Sequence, residues 1–451
     1  MKIHDTYQIS IKIVLMIFAI NCASAQNPII RNQFTADPSA RVFGDKVYVF
    51  PSHDILATEE RGRMGWFCME DYHVFSSENL TDWEDHGTII SQNKVPWVKP
   101  DSYSMWAPDC IEKNGKYYFY FPSTAKDTLT NGSGFTIGVA IADQPEGPYI
   151  PESQPIKGVK GIDPNVFIDN DGQAYMYWSQ GNIYVAKLKD NMVELASEVL
   201  TIANLPTKGL KEGPYVFERN GVYYLTYPHV ENKTERLEYA ISDNPLGPFK
   251  VTGVIMDESS TGCWTNHQSI INFKDQWYLF YHHNDYSPDF DKARSIRADK
   301  LFFNSDGTIE KVIPTLRGIG ISRATNTIEI DRYSALSEQG ASIAFIDTTN
   351  TFKGWKTAFN KQNAWAQYNN VDFGAGRLKH IKVKSKSSKG GVIQVITGSV
   401  SGTVIAEIHI PKSGEWIEIT TILKTNPVGL KDLFVQTKTE HPIEIDWILF
   451  E

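Results

Sequence analysis

The apolar residues of this chain fall in short runs, not along helical faces. Five runs share one shape, a polar turn followed by an aromatic-rich strand. The turns are Gly44-Asp45, Asn114-Gly115, Asp171-Gly172, Asn220-Gly221 and Lys274-Asp275. Asn-Gly and Asp-Gly between strand-like runs are strong hairpin signals, because their backbones accept the twist of a tight turn. The aligned tyrosines Tyr48, Tyr118, Tyr175, Tyr224 and Tyr278 lie 70, 57, 49 and 54 residues apart. Repeats of that length, each holding several short strands, predict the blades of a β-propeller. Further strands are expected at 137–142, 183–188 and 238–242. A two-sheet sandwich of repeated hairpins is the alternative. Five repeats suit a ring better, since a ring leaves few exposed strand edges.

The aromatic repeats stop after Gly320. From 327 to 451 the pattern becomes alternating strands with modest turns, at 379–384, 392–396, 404–410, 416–420 and 443–450. That spacing predicts a β-sandwich. The expected fold is therefore all-β, with a five-bladed propeller over 26–320 followed by a sandwich over 327–451.

The first 25 residues read differently. Lys2 and Lys12 precede the apolar run Ile13–Ile20, and Ala23-Ser24-Ala25 follows. A charged start, a short apolar core and an A-x-A site form a secretory signal peptide, cleaved before Gln26. The run is too short to span a bilayer. Cys22 raises a lipoprotein anchor as an alternative, but Asn21 before it fits such a site poorly. Export, to the periplasm or outside the cell, is the expectation. Cleavage removes two lysines and one aspartate and takes the net charge from −9 to −10. An acidic chain of 451 residues lacks the basic stripe of a nucleic-acid binder. Cys68, Cys110 and Cys263 remain, which allows at most one disulfide and offers no C-x-x-C metal spacing.

The repeat alignment also places chemistry. Asp37 lies 11 residues before Tyr48, Trp106 12 before Tyr118, Asp163 12 before Tyr175, Glu212 12 before Tyr224, and His267 11 before Tyr278. In a propeller these offsets put the side chains where each innermost strand begins, around one mouth of the channel. Asp-Pro alone commonly starts a turn. Three carboxylates at matched offsets instead converge, and like charges in close quarters push at least one pKa up. Two carboxylates flanking a bond are the minimum for glycoside hydrolysis, one as acid and one as base or nucleophile.

Ala36-Asp37-Pro38, Trp106-Ala107-Pro108-Asp109, Asp163-Pro164-Asn165, Glu212-Gly213-Pro214 and Asn266-His267-Gln268 resemble glycoside hydrolase family 43 across about residues 27–320. The resemblance implies a five-bladed propeller and an inverting mechanism. It makes Asp37 the general base, Glu212 the general acid and Asp163 the residue that tunes and positions the acid. It implies an exo-acting enzyme removing α-L-arabinofuranosyl or β-D-xylosyl units from plant polysaccharide. Endo-arabinan or galactan cleavage, and a non-catalytic sugar-binding propeller, are the alternatives. Fructan enzymes start with Asn-Asp-Pro and use a Glu-Cys acid motif, which Ala36 and Gly213 do not match.

Other residues follow from the same resemblance. Trp106 is the candidate stacking floor, and Arg297 is similar to the family arginine that binds the sugar. His53 is a further candidate substrate contact, with Asp54 beside it. His267 resembles a histidine near a bound cation or water cluster. A dinuclear metal at His282-His283 is not expected, for want of carboxylates at ligand spacing. No cofactor is required for the chemistry. The C-terminal part, with Trp365, Asp372, Trp416 and Trp447, resembles a carbohydrate-binding module of family 6. That resemblance implies a structural calcium, for which Glu329, Asp331 and Asp446 are candidate ligands. Trp365 or Trp447 is the candidate sugar platform; the alternative is that both are core residues and the module braces the propeller.

Overall fold

The computed structural model describes residues 27–126, 134–259, 262–284, 286–287, 289–349 and 353–451. The signal-peptide expectation over residues 1–25 lies outside them. No α-helix occurs among the described residues.

Five small antiparallel sheets follow one another along the chain. Blade 1 comprises Phe34–Phe43, Lys46–Asp54, Asp71–Ser77 and Glu84–Ser91. Blade 2 comprises Asp109–Lys113, Lys116–Thr124, Phe135–Ala142 and Ile150–Pro151. Blade 3 runs through Ile162–Ile168, Ala174–Ser179, Ile183–Lys187 and Leu200–Thr201. Blade 4 runs through Tyr215–Arg219, Val222–Val230, Glu235–Ser242 and Lys250–Met256. Blade 5 has Ser269–Phe273, Gln276–His283 and Ser295–Leu301. In every blade the strands pair in chain order.

The five repeated turns each join the first strand of a blade to the second. Asn114-Gly115, Asn220-Gly221 and Lys274-Asp275 have positive φ at both residues. That is the backbone a type I′ hairpin demands.

Alternation along these strands sends side chains to both faces, and both faces are covered. Tyr175 and Tyr177 join Leu225 and Tyr227 between blades 3 and 4. Met176 and Trp178, on the opposite face, join Ile137 and Val139 between blades 2 and 3. Equivalent clusters fill the gaps between blades 1 and 2 and between blades 4 and 5. The fifth cluster sets Val47, Val49 and Phe75 of blade 1 against Phe280, Ile296 and Ala298 of blade 5. The Ile29 and Thr35 amides also donate to the Ile296 and Arg294 carbonyls of blade 5. The aromatic content thus fills wedge-shaped gaps that shorter side chains would leave open.

The first strands contact one another in a cycle, blade 1 to 2, 2 to 3, 3 to 4, 4 to 5 and 5 to 1. Between them sits a buried ion pair. Asp109 accepts from Ser39 Oγ, the Arg41 guanidinium, Asn165 Nδ2 and the Val166 amide. This network ties blades 1, 2 and 3 below the mouth.

The C-terminal part is a sandwich of two six-stranded sheets around one apolar core. Its last strand is Ile443–Phe450. Buried Arg317 fastens the sandwich to the chain leaving the propeller: its guanidinium donates to the Asn369 carbonyl and Ser322 Oγ.

Candidate active site

Two of the mouth carboxylates sit where an inner strand is kinked. Pairing of the first strand shifts register between Ala36 and Ser39, and Asp37 there has φ 49°. Asp163 has φ 55°, beside a second register shift. A left-handed non-glycine residue is costly and persists only where its surroundings over-determine it. Glu212 is followed by Gly213 at φ 51°, where a Cβ would stand 2.9 Å from Pro228 Cγ and 3.2 Å from His267 Cε1. Only glycine lets Glu212 approach its neighbours this closely.

Asp37, Asp163 and Glu212 line one cavity of about 400 Å³, together with Trp106 and His267. The same cavity is lined by Trp66, Phe67, Trp264, Lys292 and Arg294. Flat aromatic walls and a few convergent polar groups are the ordinary make-up of a small-molecule site.

The carboxylates differ in electrostatic setting. Arg294 grips Asp37 with two N–H···O bonds of 2.9 and 3.2 Å. Ser52 Oγ donates to the same carboxylate, and His282 and His267 lie 3.6 and 3.7 Å from it. Burial alone would raise the Asp37 carboxyl, but Arg294 and the two histidines hold it down at about 2. Asp163 is pushed the other way, to about 7, by burial and by the charge of Glu212. Ser179 Oγ and the Gly213 amide donate to its carboxylate, both at 3.0 Å. Glu212 is also raised, mainly by burial, with Asp37 adding to the effect and a hydrogen bond to Glu235 and the charge of Arg294 opposing it. An acid and a base are thus separated by environment within one cavity.

Arg297 and His53 do not line the cavity. Arg297 sits inside the last strand of blade 5, where its guanidinium bonds His283 Nδ1 and the Thr315 carbonyl. Arg294, one residue before that strand, is the arginine at the mouth. Its Nε and the shared Nη2 donate to Asp54, so Asp54 braces Arg294 and does not face the sugar space. His53 follows the period of two to the opposite face of its strand. Its Nδ1 lies 2.6 Å from Asp71 Oδ1, and its ring is 5.2 Å from that of His73.

Sequence reasoning missed Arg294, Trp66, Trp264 and Glu235. Glu235 opens the third strand of blade 4 and is fully buried beside Glu212. Its carboxyl is pushed well above the usual range by burial and then by Glu212.

In the sandwich, Glu329, Asp331 and Asp446 form one electrostatic cluster. Burial, Asp446 and Asp331 together raise Glu329 to about 7. Lys384 Nζ lies 2.8 Å from Asp446 and Arg332 lies 3.4 Å from Asp331. Trp365 packs edge-on against Phe434, and Trp447 is half-buried in the last strand. Trp355 is the more exposed aromatic, stacked on Phe345 beside a second cavity that includes Trp416. Cys68, Cys110 and Cys263 are all buried free thiols.

Comparison with known proteins converges on one family. Residues 25–309 match glycosyl hydrolases family 43, and residues 335–451 match the carbohydrate binding module of family 6. A xylosidase/arabinosidase of Humicola insolens is 38% identical over 331 residues, which is 62% of this chain and 98% of that protein. A solved β-xylosidase/α-arabinofuranosidase from a compost metagenome is 36% identical, with a TM-score of 0.57 over 64% of this chain and 98% of its own. An arabinoxylan arabinofuranohydrolase structure from Bacillus subtilis is 25% identical, with a TM-score of 0.56 over 95% of this chain and 97% of its own. The fold, the paired acids over one cavity and the match over most of the chain agree: the protein belongs to glycosyl hydrolases family 43, a glycoside hydrolase carrying a C-terminal family 6 carbohydrate-binding module.

Proposed function

We propose that the enzyme is an inverting exo-glycosidase that removes terminal α-L-arabinofuranosyl or β-D-xylosyl units from plant cell-wall polysaccharide. One observation carries this reading: Asp37 and Glu212 line one cavity, and their surroundings drive them to opposite proton states. Glu212 gives its proton to the glycosidic oxygen as the bond to the anomeric carbon breaks. Asp37, ionised, takes a proton from the water that attacks the opposite face. Asp163, electrostatically coupled to Glu212, is the residue that tunes and positions that acid. Trp66, Trp106 and Trp264 provide apolar faces for the sugar ring. The xylosidase/arabinosidase names of the relatives support the substrate class.

The test is hydrolysis of 4-nitrophenyl α-L-arabinofuranoside and 4-nitrophenyl β-D-xyloside, with the anomer of the first-formed product read by NMR. Release of neither aglycone, or a product of retained configuration, overturns the reading. Product lengths from arabinoxylan and arabinan separate exo from endo cleavage.

Export through residues 1–25 would put the enzyme where such polymers are found. No helix among the described residues is long and apolar enough to cross a membrane. Calcium belongs to the same proposal. One relative is described in a calcium-free form. Beside His267, Asn266 Oδ1 and Gln268 Oε1 are buried oxygens without a hydrogen-bond partner, which suits a hydrated oxygen-seeking cation. In the sandwich, Glu329, Asp331 and Asp446 offer oxygen donors, with Lys384 to be displaced.

A further inference from the structure

We propose that Glu235 is a positioning residue that stays protonated and donates its carboxylic-acid hydrogen to Glu212. This rests on Glu212 being the general acid. Glu235 is 1% exposed. Its Oε2 accepts the Asn266 amide at 2.6 Å. Its Oε1 is buried and receives no donor. The side chain it bonds is the carboxyl of Glu212. Two buried carboxyl groups bond only if a proton lies between them. A bare carboxylate oxygen in that place would be an uncompensated buried charge facing another acid.

The charges around the pair favour the neutral form of Glu235. Asp163 acts on Glu235 as a further acid, Asp37 acts on its partner Glu212, and Cys263 lies close enough to feel the Glu235 charge as a buried thiol. The cations Arg294 and Lys292 line the same cavity, but Arg294 is committed to Asp37 and Asp54. His267 lies nearest Asp37. During the reaction Glu212 passes its proton to the departing oxygen and becomes a carboxylate. The O–H of Glu235 then donates to a full negative charge, and such a bond is stronger than one to a neutral acid. The contact therefore favours the transition state over the ground state.

The test is the alkaline limb of kcat/KM in Glu235→Leu and Glu235→Gln, measured on the same aryl glycoside. Loss of the donor in Glu235→Leu should move the limb upward by about 1 pH unit and lower kcat more than KM. Glu235→Gln keeps a neutral donor, so its limb should stay close to the parent and its kcat should be largely retained. If Glu235 were ionised, Glu235→Gln would remove a negative neighbour and move the limb downward, which overturns the proposal. An unmoved limb in a folded Glu235→Leu overturns it too. Infrared spectroscopy gives a readout free of activity: a protonated-carboxyl band that persists at alkaline pH should vanish in Glu235→Gln. Glu212→Ala run in parallel tests the underlying reading, because an alkaline limb that survives there refutes Glu212 as the acid whatever Glu235 does.

A separate observation points to a metal site on blade 1. His53, Asp71 and His73 each present a donor atom, and the three lie within 4.8 Å of one another. They share one face of two paired strands, with Ser52 opposite Tyr72 fixing the register. His73 Nδ1 is oriented by Asp85 at 3.0 Å, the usual support for a ligating histidine. Two imidazoles and one carboxylate, each partly exposed, suit Zn²⁺ or a similar divalent transition ion. We infer that this cluster binds one such ion, which takes the place of the His53–Asp71 contact. Calorimetric titration of the full chain with ZnCl₂ should show one equivalent taken up, with Tm raised. His73→Ala should abolish both while leaving aryl-glycoside hydrolysis unchanged. No uptake by the parent, or equal uptake by His73→Ala, overturns it.

Discussion

Asp163→Asn should make the enzyme more stable and nearly inactive, and pH should separate the two effects. The Asp163 carboxyl is raised from 3.8 to about 7, first by burial and then by the charge of Glu212. That difference opposes folding by ~4 kcal/mol when the group is ionised. Because Glu212 shares the interaction, the part belonging to Asp163 is roughly 2–4 kcal/mol. The sign follows from linkage. A carboxyl with a raised folded pKa contributes fully below its unfolded value, near 4, and its contribution is lost as pH rises toward about 7. Asparagine is neutral throughout and keeps one oxygen to accept from Ser179 Oγ and the Gly213 amide. The variant should therefore gain little at pH 4 and reach its full advantage above pH 7. For a domain of this size the gain at pH 8 is a rise in Tm of roughly 5–10 °C. Scanning calorimetry of both proteins at pH 4 and pH 8 measures it on the propeller transition. The same variant should lose roughly 100-fold or more in kcat, since the carboxylate coupled to Glu212 that tunes and positions the acid is gone. A gain of equal size at both pH values, or a loss at pH 8, refutes the assignment of Asp163 as a strained buried charge.

Glu212→Ala should lose most activity on poor leaving groups and much less on activated aryl glycosides, which a Brønsted plot over phenols of different acidity reads directly. Arg294→Lys keeps the charge but loses the fork that grips Asp37 and Asp54, so the acidic limb of kcat/KM should move upward from the low value that Asp37 now has. Arg297→Met should leave KM within about twofold, because its guanidinium bonds His283 and Thr315 and not the cavity. Urea denaturation should show its cost in stability instead. Gly213→Ala should depress kcat at unchanged secondary structure, because its Cβ meets Pro228 and His267 at a left-handed backbone position.

The architecture was legible because its repeats are dictated by backbone chemistry. A tight hairpin with left-handed residues selects Asn-Gly and its equivalents, and each of the five turns carries at least one positive φ, so the turns mark every blade. The matched offsets then placed Asp37, Asp163, Glu212, Trp106 and His267 around one cavity. What stayed hidden lies off that repeat. Arg294 lies just before the third strand of blade 5, and Arg297, three residues on within that strand, offered the more regular-looking context. Glu235 opens a third strand, a position for which the five repeats provide no shared offset. His53 and Asp54 are neighbours that a linear reading treats alike, yet strand alternation sends only Asp54 to Arg294.

The cavity also explains why so much aromatic packing surrounds so few catalytic groups. Asp37 and Asp163 hold left-handed backbone conformations, and Asp163, Glu212 and Glu235 keep raised carboxyl groups out of water. Each of these features opposes folding, at roughly 1–3 kcal/mol for a strained residue. None can be relieved without losing the split between acid and base. The compensation lies between the blades, where five apolar clusters bury the inner and middle strands on both faces. The Arg41–Asp109 pair adds fixity on the axis, where breaking it would leave a buried charge alone at about 3–5 kcal/mol. Substitutions in these clusters should therefore lower activity before they lower the amount of folded protein, because the strained strand starts are the first elements to relax when the surrounding packing loosens.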